Sequence, residues 1–297
     1  MELEPASRGI FLEAHPNREI AAITAERVYV LPHPALRRTI SHYTVFSPAG
    51  GTAGTPETLH IVPDASGCIV CEVTRRRITP LLWGPMSRVA SVSHNPSRPT
   101  LIIFAEFLPC GANRLLRIPL HRLENITVPL EDVEPQLALE IADSASHWFH
   151  GRRMPHHHSF IDDLDRLFLS RLSAAGDSLL ACHVVAAVTK NRGSLRLGEL
   201  ARQTGYSERH INRVMLEALG LGVKSLSRIV RINCACRDLL VSRQTLTAVA
   251  HNLEYHDQAH FIRDFKSICG VTPGQYQNDM SDFYNEELKM AGTMPSK

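Results

Sequence analysis

The sequence predicts an α+β protein with a mainly-β N-terminal domain and an all-α C-terminal domain. Three observations support this prediction. Short β-branched runs separated by Pro and Gly occupy residues 1 to about 150, and helical periodicity follows them. A pattern then occurs twice between Leu197 and Tyr276, with the two copies starting about fifty residues apart. A chain of 297 residues exceeds what one small core usually organises, so two domains are expected.

Composition indicates a globular protein without a membrane span. Hydrophobic residues make up 44% and charged residues 21%, and the apolar run at Leu101–Phe104 is too short to cross a bilayer. The acidic start MELEP argues against a signal peptide, so we expect a cytoplasmic, nucleoid-associated location. The seven scattered cysteines predict reduced thiols. The formal net charge is only +2, but basic residues outnumber acidic ones between Lys190 and Lys266.

The N-terminal half reads as strands followed by helices. The runs ERVYVL, TLHIVP, CIVCEV and TLIIFAEFL are bounded by turn residues, which predicts a barrel or sandwich. A helix is predicted from Val133 to Phe149 because its apolar residues recur at helical spacing. We therefore expect a β-rich domain at 1–150, a helical linker at 151–180, an all-α domain at 181–280 and a tail at 281–297.

The repeat, whose copies start about fifty residues apart, predicts two helix-turn-helix units. LGELARQTGYSERHINRVMLEALGLGVKSL, from Leu197, is echoed by LTAVAHNLEYHDQAHFIRDFKSICGVTPGQY, from Leu246. Each copy has a short helix, a turn, a second helix and a stop at glycine followed by an apolar residue. The units are expected at about 197–219 and 246–269, joined by one long helix over Val223–Val241. That helix would hold the units on the order of 34 Å apart, one DNA turn.

The second helix of the first unit carries residue types that read DNA bases. Ser207 is placed to cap it, and its apolar residues form one buried stripe. Arg209, Asn212 and Arg213 remain on the outer side. In the major groove Arg pairs with guanine O6 and N7, and Asn pairs with adenine N6 and N7. Contact of Arg213 with phosphate instead of base is the alternative.

The second unit repeats this arrangement, with Phe261, Phe265 and Ile268 facing inward. The candidate DNA-binding residues on its outer side are Gln258, Ala259, His260, Ile262, Arg263 and Lys266. Gln258 and Arg263 have side chains that read base edges, and Ala259 and Ile262 suit thymine methyl groups. Lys266 suits phosphate or solvent, and phosphate is the alternative for Arg263 as well.

The repeated units resemble the C-terminal domain of the AraC/XylS family of bacterial regulators over about Leu195–Tyr276. The resemblance rests on the Phe261 and Phe265 pair and on the stop Gly270-Val-Thr-Pro273. Glu254 replaces the usual glycine and His256 replaces the usual capping serine, which leaves Asp257 as the candidate cap. The resemblance implies a transcription regulator that binds double-stranded promoter DNA, activates RNA polymerase and forms a homodimer.

The segment from Arg27 to Val133 more loosely resembles the cupin-like sensor half found on some AraC-type regulators. The segments on which this resemblance rests are Val62–Val70, Gly84–Met86 and Phe107–Leu116. The resemblance implies a cupin-like β-barrel that binds an effector or a partner subunit. His60 and His94 are not at metal-ligand spacing, so no metal or other cofactor is predicted.

A candidate anion site lies within this half, at Arg75, Arg76 and Arg77 after a strand and Asp64 and Ser66 before it. Two arginines on one strand face can bind a phosphate or carboxylate. The set loosely resembles the PilZ site for cyclic diguanylate (cyclic di-GMP), although the glycine is two positions early and the arginines follow instead of preceding. The simpler interpretation is an exposed charged hairpin. A cyclic dinucleotide, or a sugar or sugar acid, is the ligand alternative.

Together these observations predict a DNA-binding regulator controlled through its N-terminal domain. The alternative is a regulator of the same type without a small ligand, controlled by its abundance or by a protein partner. An enzyme fused to a DNA-binding domain is not favoured, because the sequence has no recognisable nucleophile motif and no Gly-rich phosphate loop. We therefore predict no catalytic residues.

Overall fold

The structure is a computed structural model of the chain. It describes residues 19–23, 27–46, 57–74, 77–94, 101–116, 118–150, 160–172, 179–241, 244–278 and 283–284. Within these residues, no helix is both long enough and apolar enough to span a membrane. All seven cysteines are free thiols.

Ten described strands form two sheets. They are β1 (Ile20–Ile23), β2 (Arg27–Val30), β3 (Ile40–Phe46), β4 (Glu57–Ile61), β5 (Cys68–Val73), β6 (Ile78–Trp83), β7 (Ala90–His94), β8 (Leu101–Phe107), β9 (Thr127–Pro129) and β10 (Phe283–Tyr284). One sheet has the order β1-β2-β3-β8-β5-β6-β9 with antiparallel neighbours, and the other has the order β10-β4-β7. Backbone pairing of β10 with β4 returns the chain from the C-terminal region to the N-terminal domain.

Ten described α-helices follow or connect the strands. They are α1 (Gly111–Leu116), α2 (Pro135–His150), α3 (Phe160–Arg171), α4 (Leu179–Lys190), α5 (Leu197–Thr204), α6 (Glu208–Ala218), α7 (Val223–Val241), α8 (Leu246–Asn252), α9 (Gln258–Cys269) and α10 (Pro273–Asn278). Short 3-10 helices occur at Pro34–Leu36, Leu120–Leu123 and Leu130–Asp132. The predicted β-rich N-terminal region followed by a helical C-terminal domain is confirmed.

Alternation along the strands buries one face of the seven-stranded sheet. Val30, Tyr43, Ala105, Ile69 and Leu82 are cross-strand neighbours in one continuous row, and all five are buried. Side chains directly opposite each other in antiparallel strands point to the same face, so this row forms one surface. It packs in one hydrophobic core with α2 and α3.

Helix α3 is fastened to this sheet by a buried carboxylate. Asp165 accepts a hydrogen bond of 2.7 Å from the Tyr43 hydroxyl and one of 3.0 Å from the His33 amide. Phe160, Ile161, Leu164 and Phe168 of the same helix belong to the N-terminal core. Helix α3 lies in the segment that the sequence predicts to be a linker, yet the structure makes it part of the N-terminal domain.

The β-rich part is open at two edges among the described strands. Strands β1 and β9 end the larger sheet, and β4, β7 and β10 form a separate one. The described backbone hydrogen bonds therefore do not close the sheet into a ring. The cupin-like barrel stays a prediction.

The N-terminal domain touches the helical domain at Gly220, which follows α6. Gly220 has a positive φ of 82°, and a Cβ there would lie 2.7 Å from Pro85 Cγ and 2.9 Å from Leu120 C. Gly205 also has a positive φ, 73°, but a Cβ there would have nothing within 4 Å. The two glycines thus share a backbone requirement and differ in their surroundings.

We expect Gly220→Ala to lower the free energy of unfolding more than Gly205→Ala does. Both changes place a Cβ on a residue in the left-handed conformation, which costs about 1 kcal/mol of stability in each variant. Gly220→Ala adds overpacking against Pro85 and Leu120, which typically costs about 1–3 kcal/mol more. Denaturant unfolding of the full chain measures the free energy of unfolding of both variants. An equal decrease in the two variants would contradict the close contact at Gly220.

Candidate nucleic-acid interface

The first helix-turn-helix unit is built from α5 and α6. Helix α5 ends where the Gly205 amide donates to Ala201 O at 3.0 Å with Gly205 in the left-handed conformation. Ser207 then caps α6, because its Oγ accepts a 3.2 Å hydrogen bond from the His210 amide. The predicted cap is confirmed, and Gly205 and Tyr206 are the two residues between the end of α5 and this cap.

Helix α6 presents one apolar face and one charged face. Ile211, Met215 and Ala218 are buried in the core of the unit. Arg209 and Arg213 are exposed, as the sequence predicts. Arg213 Nη1 donates to Glu217 Oε1 at 2.8 Å, and both side chains of this ion pair are exposed. An exposed pair one turn apart is weak, so the guanidinium is readily available to another anion.

Asn212 has a structural role that the sequence does not predict. Its Oδ1 accepts a 3.2 Å hydrogen bond from the amide of Val223, the first residue of α7. The first amides of a helix have no partner within the helix, so this contact caps α7. Bidentate pairing with adenine would draw the same amide group away from the cap. Asn212 therefore holds the junction of α6 and α7, and its base-reading role stays a prediction.

From the left-handed residue to the helix cap, the turn of the second unit is one residue longer than that of the first. Glu254, with φ 57°, takes the left-handed conformation that Gly205 takes in the first unit. Asp257 then caps α9, and its Oδ1 accepts a 2.6 Å hydrogen bond from the His260 amide. This bond, followed by the His256 side chain, lowers the pKa of Asp257. Asp257 thus replaces the missing serine cap, and α9 begins one residue later.

The outward face of α9 carries the residues that the sequence singles out. Gln258, Ala259, His260, Arg263 and Lys266 are exposed, and Ile262 is half-buried. Gln258 Oε1 accepts a 2.9 Å hydrogen bond from Thr247 Oγ1 of α8. Phe261, Phe265 and Ile268 are buried, as predicted.

Helix α9 is fixed to α7 by a buried charge network. Asp264, almost fully buried, accepts hydrogen bonds from Arg228 Nε at 2.7 Å and from the Tyr255 hydroxyl at 2.8 Å. Burial and the Asp264 charge raise the pKa of Tyr255, so this hydroxyl stays protonated as a donor. The guanidinium of Arg231 lies 4.9 Å from the centre of the Tyr255 ring. These contacts set the orientation of the second unit.

Helix α7 is common to the cores of both units. Leu226, Ile229 and Val230 pack with the first unit. Ile232, Ala235 and Cys236 pack with the second. The predicted long helix from Val223 to Val241 is present with the same bounds. Because one rigid helix contributes to both cores, the relative position of the units depends on it.

Exposed Tyr206 and half-buried His210 form a stacked pair that the sequence pattern does not predict. Their rings stack with centroids 4.8 Å apart at 15°, and Tyr206 is 49% exposed. Tyr255 of the second unit is buried instead. The difference follows from the turns, since Tyr206 directly precedes its cap whereas Tyr255 stands two residues before Asp257. This difference in exposure could be predicted by counting the residues from Gly205 to Ser207 and from Glu254 to Asp257.

Of the candidate anion site, the structure describes Asp64, Ser66 and Arg77, and it does not bring Arg77 close to the other two. Asp64 Oδ1 accepts a 2.9 Å hydrogen bond from the Ser66 amide before β5, and Ser66 is buried. Arg77 lies beyond the far end of β5, where its carbonyl accepts from the Thr74 amide at 2.9 Å. Six strand residues separate these ends by roughly 20 Å. Arg75 and Arg76 lie outside the described residues.

Metal ligation finds no support in the part of the chain that is described. None of its His, Cys, Asp and Glu side chains gather in a group of three or more that would suit a metal ion. His60 Nδ1 lies 2.9 Å from Ser91 Oγ, a contact between β4 and β7. His94 is described only as part of β7.

We expect Asp264→Ala to destabilise the helical domain by about 2 kcal/mol. The change leaves the Arg228 charge and the Tyr255 hydroxyl without their shared partner, and partial exposure of Arg228 moderates the loss. Glu217→Ala is the control, since it removes a carboxylate from an exposed pair and should cost below about 0.5 kcal/mol. Thermal unfolding measures the midpoint temperature of both variants. Similar decreases in this temperature for Asp264→Ala and Glu217→Ala would argue against a structural network at Asp264.

We expect Glu254→Gly to raise the free energy of unfolding by about 1 kcal/mol, because glycine adopts a φ of 57° without steric cost. Glu254→Gln keeps the strained backbone and removes the charge, so it should bring no gain. Denaturant titration of both variants separates the effect of backbone strain from the effect of the charge. A higher free energy of unfolding for Glu254→Gln would mean that the Glu254 charge, and not its backbone conformation, is destabilising.

Comparison with known proteins identifies two family matches. Residues 200–296 match the family described as "Helix-turn-helix domain", and residues 29–129 match "Domain of unknown function (DUF6597)". An uncharacterised HTH-type transcriptional regulator of Staphylococcus aureus (strain MSSA476) is 35% identical over 85 residues, which is 29% of this chain and 11% of that protein. The transposon Tn10 TetD protein of Escherichia coli is 29% identical over 86 residues, 29% of this chain and 62% of that protein. This chain thus spans less than two thirds of either relative.

Solved structures give low overall similarity. The C-terminal domain of AraT, a response regulator from Geobacillus stearothermophilus, has a TM-score of 0.33 and 24% identity, covering 34% of this chain and 85% of that one. Unsaturated fatty acid bound ToxT from Vibrio cholerae has a TM-score of 0.35 and 11% identity, covering 76% of this chain and 96% of that one. On the family match and the two units described above, the chain carries a C-terminal helix-turn-helix domain of the AraC type behind an N-terminal domain whose family has no known function.

Proposed function

We propose that the chain is a transcription regulator that binds double-stranded DNA by placing α6 and α9 in successive major grooves. One observation carries the proposal. Both helices expose polar, fork-shaped side chains near their N-termini, and both are packed onto the single helix α7. A helix that enters the major groove contacts bases with residues near its N-terminus, so the exposed ends are the ones that recognition requires.

The exposed residues divide into three chemical roles. Arg209, Arg213, Gln258 and Arg263 are proposed to read base edges, because their side chains offer paired donors, or a donor and an acceptor. Ala259 and Ile262 are proposed to contact thymine methyl groups. Lys266 and His260 are proposed to contact the phosphate backbone, which would position α9 without selecting sequence. Asn212 is left out because it caps α7.

Binding requires modest rearrangement of the surface. Arg213 exchanges its exposed pairing with Glu217, which costs roughly 0.3–0.5 kcal/mol, and its contact with His210 for DNA, and Gln258 exchanges its hydrogen bond from Thr247. The buried network around Asp264 remains intact, so the second unit keeps its orientation. The cost of ordering is therefore small, which favours tight binding.

Control through the N-terminal domain is the second part of the proposal. The separation of Arg77 from Asp64 and Ser66 argues against an anion bound between them. It favours the alternative in which the regulator responds to its abundance or to a protein partner, over cyclic diguanylate or a sugar acid. Homodimerisation and contact with RNA polymerase enter only as what the AraC-type resemblance implies.

The test is selection of duplexes from a random DNA pool by the full chain, followed by footprinting of the selected site. We expect two protected major-groove segments about one helical turn apart. Arg209→Ala and Arg263→Ala should each weaken binding by about 1–3 kcal/mol and relax base choice in one segment only. Arg166→Ala removes the same charge from the surface of the N-terminal domain and should leave the dissociation constant unchanged.

Two results would contradict the proposal. One is a failure of the pool to yield any preferred sequence at moderate salt. The other is equal loss in all three arginine variants, which would indicate a general effect of positive charge instead of recognition by α6 and α9.

A further inference from the structure

The N-terminal domain contacts the first helix-turn-helix unit at the C-terminal end of α6. Asn113 Nδ2 of α1 donates a 3.1 Å hydrogen bond to Glu217 O. Ala65 and Cys110 of the N-terminal domain belong to the same hydrophobic core as Ile211 and Met215. A cavity between Trp83 and Leu219 measures only about 10 Å³, room for a single water. The contact is therefore closely packed.

The same domain also contacts the second unit. The Val89 amide, before β7, donates a 2.6 Å hydrogen bond to Ile268 O of α9. A Cβ on Gly270 would lie 3.3 Å from Val89 Cγ1, so the Val89 side chain packs closely on the end of α9. Val62 packs in one core with Phe261 and Phe265. One domain thus reaches both units.

A buried amide joins the N-terminal domain to α7 between these two contacts. Asn233 Nδ2 donates to Pro63 O at 2.7 Å and to Ile229 O at 3.0 Å. Asn233 is almost fully buried. A buried carbonyl without a donor is costly, so loss of this amide would weaken the attachment at its centre.

The contacts leave the proposed reading surface uncovered. They lie at Glu217 and Ile268, near the C-terminal ends of α6 and α9, whereas Arg209 and Gln258 lie at the N-terminal ends. With a rise of 1.5 Å per residue, eight to ten residues separate the two regions by roughly 12–15 Å. Among the described residues, attachment of the N-terminal domain therefore leaves Arg209 and Gln258 exposed.

We propose that the N-terminal domain is an intramolecular brace, attached through Pro63, Val89 and Asn113, that holds both units in the arrangement that binds DNA. The inference rests on the proposed DNA binding. Attachment at both units restricts their relative movement, so the second unit meets DNA at high effective concentration once the first has bound. A signal on the N-terminal domain would act by changing the free energy of this attachment, because only differential affinity shifts an equilibrium.

The test compares the full-length double variant Asn113→Ala with Asn233→Ala against Asn191→Ala. Asn191 is a matched control, because its Nδ2 donates 2.8 Å to Ala187 O one turn back within the helical domain. Hydrogen exchange at the Val89 amide reports attachment. The dissociation constant is measured on the selected duplex and on duplexes with two base pairs added or removed between its two segments.

We expect the double variant to exchange the Val89 amide faster, to bind the selected duplex about tenfold more weakly, and to discriminate less between spacings. Circular dichroism checks that both variants retain their helices. Asn191→Ala should match the unaltered chain in all three readouts.

Three outcomes would overturn the brace. Unchanged exchange at Val89 would mean that the amides do not hold the domains together. Faster exchange with unchanged affinity and spacing preference would mean that attachment does not matter for DNA. Faster exchange with tighter binding would make attachment inhibitory. If even the unaltered chain selects no DNA, the proposed function itself fails, while exchange at Val89 still reports whether the domains are attached.

Discussion

The arrangement of the C-terminal half depends on the packing of α7, which is buried along its length by different partners. Its N-terminal half completes the core of the first unit, its C-terminal half completes that of the second, and Asn233 between them meets Pro63. A helix of 19 residues is about 28 Å long, close to one turn of DNA. Because both units pack on α7, their relative position depends on this one helix.

The units themselves were predictable because their signals are local. Periodicity of 3.6 residues, capping residues and glycine stops depend only on nearby sequence, and they place α5 to α9 close to the expected bounds. The cap at Asp257 follows from the same chemistry. Burial of Phe261 and Phe265 also follows from spacing alone.

Contacts between distant segments were not predictable in this way. Asn212 has the residue type and position of a base reader, but the amide that it caps lies eleven residues further along the chain. Helix α3 reads as a linker because its sequence does not reveal Tyr43, whose hydroxyl binds Asp165. Arg77 appears near Asp64 in sequence, yet the strand between them carries it to the other end of the hairpin. In each case the residue type suggested one role, and the fold adds a contact or a position that the local sequence does not reveal.

Gly220 bears on how such proteins exchange domains in evolution. In an isolated helical domain, this position would need glycine only for its left-handed backbone, and asparagine is a common substitute there. Here Pro85 and Leu120 of the other domain leave no room for any side chain. Fusion of this helical domain to a foreign partner would lift that restriction, whereas fusion of this N-terminal domain to a foreign helical domain would impose it. Compatibility between the two halves is therefore encoded partly in the absence of a single side chain.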